Sequence, residues 1–115
     1  MGRAGNPGRD AAIAALSRVA ASLAARAEIG RMRMFGSEAL SVKGKMFAFA
    51  ANSGDLVVKL PEGRVAELGL APMVMRGRPM REWASVPPGD EGRWLGLAAE
   101  ALDYVDSITA SAKPA

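Results

Sequence analysis

The chain contains neither cysteine nor histidine. Without cysteine there is no disulfide, no thiolate nucleophile and no Cys-ligated zinc. Without histidine the commonest general base, the Ser-His-Asp arrangement and the usual transition-metal ligand are also gone. Acid–base chemistry is left to carboxylates, Lys, Ser/Thr and the single Tyr104. Aromatics are scarce, at 5%. No apolar run is long enough to span a bilayer. Ala11 to Ala25 resembles a signal peptide in its alanine content and its preceding arginines, but Ser17 and Arg18 interrupt it as they would an amphipathic helix. The expectation is a cytoplasmic protein with no membrane association, cofactor or metal.

What is present fits one small domain. A chain of 115 residues, 23% charged and 50% apolar, is long and apolar enough for a core. The net charge is +3. It is unevenly spread: residues 1–36 carry net +4, residues 37–86 net +2 and residues 87–115 net −3. The ordinary meaning of that spread is an arginine-rich solvated surface balanced by an acidic last helix.

Gly and Pro make residues 1–8 a loose tail, and residues 111–115 are expected to fray, leaving 9–110 as the domain. Ile13, Leu16, Ala20, Leu23 and Ala27 recur at helical spacing behind Asp10, with Gly30 as the expected stop. From Arg31 the period becomes two: Met32 and Met34 point one way, and Arg31, Arg33 and Phe35 the other. Strands are expected at 39–42 and 46–51, joined by Lys43-Gly44-Lys45, and at 56–60 after Asn52-Ser53-Gly54-Asp55. Pro61-Glu62 opens a short helix. Two extended pieces, 72–75 and 79–86, flank Arg76-Gly77-Arg78. Asp90 is expected to cap a last helix striped by Trp94, Leu97, Ala101, Val105 and Ile108. Hairpin-length links exclude a parallel βαβ sheet. The expected fold is two-layer α+β, an antiparallel sheet with helices on one side, in the order α-β(3)-α-β(2)-α.

Several segments together resemble the TfoX N-terminal domain family. They are Met34-Phe35-Gly36, Gly44-Lys45-Met46-Phe47-Ala48, Leu56-Val57-Val58-Lys59, and Met80 through Trp83 with Val86-Pro87. The resemblance spans roughly residues 9–108. It implies a compact α+β domain similar in topology to type III secretion chaperones. Some members of that family take part in regulating natural competence in bacteria; those regulators carry a second, C-terminal domain related to helix-hairpin-helix modules. The resemblance here is to the stand-alone form, and it brings no catalytic residues.

Candidate functional residues are few. Arg31, Arg33, Lys43, Lys45, Lys59, Arg76, Arg78 and Arg81 lie near strand ends and would meet phosphates if gathered on one face. The plainer expectation is that they are dispersed and paired with Glu38, Asp55, Glu62 and Glu82. Trp83 and Trp94 are candidate partner anchors, weighed against packing of the last helix on the sheet. The methionines near strands are expected to fill core rather than form an adaptable surface. Gly36, Gly44, Gly54 and Gly77 have turn spacing, not the spacing of a phosphate cradle. Glu62 with Glu67 and Glu100 with Asp103 read as a solvated helix face before they read as acid–base pairs. The leading expectation is therefore a non-enzymatic interaction module that binds another protein or a second copy of itself. A nucleic-acid-associated regulator, binding weakly at most, comes second. An enzyme working through carboxylates and lysine comes third.

Overall fold

The computed structural model describes residues 7–34 and 37–112. Helix α1 (Pro7–Leu23) leads into four strands: β1 (Ile29–Met34), β2 (Ser37–Val42), β3 (Lys45–Ala50) and β4 (Leu56–Lys59). Helix α2 (Glu62–Leu68), strands β5 (Ala71–Met75) and β6 (Arg78–Val86), a 3-10 turn (Pro88–Arg93) and helix α3 (Trp94–Ala112) follow. All strand pairings are antiparallel, and the six strands lie in the order β1-β2-β3-β4-β6-β5. The fold is the expected α+β, with one strand more before α2.

That extra strand is the period-two stretch after α1. Its register pairs Met32 with Ala39 and Arg31 with Leu40, so methionines and arginines do take opposite faces. Helix α1 ends at Leu23, six residues before β1 starts, although Ala24-Ala25 favours helix. Residues 24–26 form a turn instead, and Gly30 sits inside β1 rather than stopping the helix. The reason for glycine is close approach: a Cβ at Gly30 would lie 2.5 Å from the Ser41 Oγ on the paired strand. At the other end α1 begins at Pro7, inside the expected tail, and Asp10 lies in its first turn. Residues 1–6 and 113–115, and Phe35-Gly36 of the first resemblance segment, lie outside the described residues.

The three helices cover one face of the sheet. Leu16, Val19 and Leu23 of α1, Val65 of α2, and Trp94, Leu97, Ala101 and Val105 of α3 share one buried cluster with Leu40, Phe47, Leu56, Val58, Ala84 and Val86. Alternation along β3 would put Phe47 and Phe49 on the same side. A bulge prevents this: the register slips between Leu40 and Ser41, leaving Phe47 as an extra residue on β3. Phe47 therefore joins the helix-side core, while Phe49 joins Ala39 and Val57 on the far face.

The far face has no helix, yet Ala39, Phe49 and Val57 are buried there. The β5–β6 hairpin covers them. Its register shifts between Pro72 and Met73, where Arg81, Glu82 and Trp83 have no partner on β5. Met73, three strands away from β3 in the sheet order, packs against the Phe49 cluster together with Trp83. The hairpin is thus an arm bent across the far face. Both hairpin turns place a long basic residue and a glycine at positive φ: Lys43 (53°) with Gly44 (80°), and Arg76 (54°) with Gly77 (76°). Positive φ at both central residues is the geometry that matches the twist of a two-residue hairpin.

Candidate functional site

Ion pairing separates the basic candidates into two groups. Arg31 binds Glu38 and the Ser17 hydroxyl, Lys43 meets Asp106 at 2.7 Å, Lys59 meets Glu82 at 3.4 Å, and Arg81 meets Glu62 at 3.6 Å. Arg33, Lys45, Arg76 and Arg78 have no acidic partner among the described residues. Ten of the twelve carboxylates are in ion pairs, leaving Glu28 and Asp55. Among the described residues the cations outside ion pairs therefore lie at β1, at the start of β3 and at the tip of the arm. These are separate places in the sheet, not one face.

Helix α3, the expected acidic element, supplies three of the ten paired carboxylates: Glu100, Asp103 and Asp106. Asp103 accepts two bonds from Arg26 at 2.8 and 3.0 Å. Glu100 accepts two from Arg64 at 2.9 and 3.0 Å, and Arg64 also donates to Glu67. The Arg64 hydrogen bonds hold the Glu100 carboxyl below its ordinary pKa against the opposing effect of desolvation, and Glu100 with Glu67 raises that of Arg64. Within each carboxylate pair considered for acid–base work the two members are bound by different arginines: Glu62 by Arg81 and Glu67 by Arg64, Glu100 by Arg64 and Asp103 by Arg26. Among the described residues no group of three or more carboxylates gathers where a metal would be held.

The two tryptophans have different roles. Trp94 is 2% exposed and its Nε1–H donates to the Pro87 carbonyl at 3.2 Å. It belongs to the helix–sheet core and offers no surface to a partner. Pro87 also precedes the 3-10 turn, so Asp90 lies within that turn instead of capping α3. Trp83 is half-buried on the far face, tilted against Phe49 at 5.8 Å between ring centroids. The Lys59 ammonium sits 5.2 Å from its ring centroid, a cation–π distance.

Trp83 also helps line a cleft of about 720 Å³, at the end of the sheet where β3, β4 and β6 meet the C-terminal half of α3. Lys45, Met46, Lys59, Val105, Ile108 and Thr109 also line it. Three sequence candidates, Lys45, Lys59 and Trp83, are brought together here across 38 positions of chain. Behind them Glu82 accepts from the Tyr104 hydroxyl at 3.1 Å as well as from Lys59. Desolvation, with help from the Glu82 hydrogen bond and charge, pushes the Tyr104 pKa up.

The second notable surface is the arm. Val74 is 63% exposed and Met75 40% exposed, next to the unpaired Arg76 and Arg78. Pro72 removes one backbone donor from this edge strand, and the arginines on β1 charge the other edge, so both edges resist plain strand addition. No helix among the described residues is long and apolar enough to cross a membrane. No protein-family model matches the chain, and no curated protein sequence matches it significantly.

Proposed function

We propose that the chain is a small, non-enzymatic interaction module of the TfoX N-terminal type, bacterial and cytoplasmic, whose partner is another protein. The observation that carries this reading is the arm, where exposed Val74 and Met75 adjoin two unpaired arginines. Val74 and Met75 alternate to opposite sides of β5, each beside the basic turn, and an apolar residue next to a cation suits a protein surface that pairs apolar with acidic groups. The excess of unpaired cations over unpaired anions on this chain favours such a partner over a second copy. The element order, with two strands between α2 and α3, supports the family reading.

The test is affinity capture from the native host with wild-type bait and with Val74→Asp/Met75→Asp bait, followed by reconstitution from purified components. A protein that binds wild type directly, and binds the folded variant at least tenfold more weakly, supports the reading. Identical capture by both baits, or self-association alone on sizing, overturns it. A nucleic-acid-associated regulator is the second reading, favoured by the four cations outside ion pairs. Their dispersal limits it, as does the lack of an exposed aromatic ring for base stacking among the described residues.

A further inference from the structure

The cleft at the end of the sheet shares no lining residue with the arm's exposed Val74 and Met75. Its walls are predominantly apolar: Met46, Val105, Ile108 and Trp83. Its charged groups are Lys45 and Lys59. Glu82 is bound to Lys59 at 3.4 Å and offsets one of those charges, while Lys45 has no acidic partner among the described residues. The cleft therefore presents one uncompensated ammonium beside an apolar wall. The Trp83 ring already meets Lys59 and Phe49, which leaves it less free to stack on a ligand. Among the described residues the lining contains no arginine fork of the kind that favours phosphate. A volume of about 720 Å³ falls in the range of small-molecule sites.

We infer that this cleft binds an apolar monocarboxylate, with the carboxylate at Lys45 and the hydrocarbon body along Met46, Val105 and Ile108. The same chemistry is offered by a free alkyl carboxylate and by the C-terminal carboxylate of a peptide ending in an apolar residue. Lys45 supplies the charge contact, and Ile108, 39% exposed, forms the apolar lip of the opening.

Isothermal calorimetry on the full chain tests this with octanoate, octanamide and octylammonium, and with acetyl-Ala-Ala-Leu as free acid and as amide. Trp83 emission gives a second readout, because Trp94 is sealed in the core. The expected result is saturable one-site binding of a carboxylate, at least tenfold tighter than that of its amide, and no binding of octylammonium. Octanoate binding assigns the site to free acids, and binding of the peptide acid alone assigns it to chain termini. Lys45→Glu, at an exposed turn position, should weaken binding at least tenfold. The charge-matched Arg93→Glu, on the 3-10 turn at the opposite end of the sheet, should leave it within twofold. Ile108→Asn should weaken it comparably; if that variant does not fold, Ile108→Ala serves. Absence of saturable binding, equal binding of acid and amide, or an unaltered affinity in folded Lys45→Glu overturns the proposal.

Discussion

Individual side chains carry distinct, separable loads in this fold. Leu97 is 4% exposed on the face of α3 that meets the sheet, so Leu97→Ala should destabilise the protein by about 2–4 kcal/mol in chemical denaturation, because a cavity adds to the lost transfer energy. Gly30 tests a tighter contact. Gly30→Ala brings a methyl against the Ser41 Oγ and should cost about 1 kcal/mol; the same substitution in a Ser41→Ala background should cost close to nothing. Tyr104 is the only tyrosine, so its phenolate absorbance can be read without ambiguity. Its midpoint should lie above 10, and Glu82→Ala should lower it by removing the carboxylate that accepts from the hydroxyl. The raised pKa means that the neutral phenol stabilises the fold below the unfolded value near 10, and that this contribution is lost as pH rises through the folded midpoint. Glu100 has the opposite sign. Its depressed pKa gives stability above its unfolded value near 4.5, lost as pH falls through the folded value.

At the scale of elements, periodicity was a good guide wherever one rule decided the outcome. The stripe of α3 and the alternation of β4 and β1 follow their patterns, because each keeps a constant period. Three features depart from pattern. Helix α1 stops at Leu23 and a turn over residues 24–26 carries the chain to β1, where Gly30, the expected helix stop, is a sheet position. The Phe47 bulge reverses the face assignment of half of β3, and a bulge leaves no trace in hydrophobic alternation. The arm bends because Arg81, Glu82 and Trp83 are unpaired on the β5 side, which depends on where Met73 finds apolar cover. Turn chemistry gives a prediction at this scale. Arg76 occupies the left-handed region without an ion pair to compensate. Arg76→Asn should stabilise the protein by roughly 0.5–1 kcal/mol, since asparagine tolerates that conformation better, and the thermal midpoint should rise.

For the whole molecule, the distribution of charge matters more than its total. Four carboxylates tie elements together: Glu100 and Asp106 hold α3 to α2 and to the β2–β3 turn, Asp103 holds it to Arg26 just after α1, and Glu91 holds the 3-10 turn to α1; among the described residues the cations left over are isolated and form no basic face. The sequence made the candidate residues visible but not their grouping. Lys45, Lys59 and Trp83 belong to three different strands, and only the antiparallel register sets them at one end of the sheet beside α3. The exposed Val74 and Met75 looked like ordinary strand filling, because an arm and a central strand share the same composition. Dispersed cations without exposed stacking aromatics support only weak, sequence-independent nucleic-acid binding that fades as counterions compete. Fluorescence anisotropy with random and promoter-derived duplexes, at low and near-physiological salt, bears directly on the protein-partner reading. The expected result is weak binding at low salt, equal for both duplexes and abolished at physiological salt. Submicromolar binding that persists at physiological salt, and disappears in a folded Arg76→Glu/Arg78→Glu variant, would contradict it and make nucleic acid the partner.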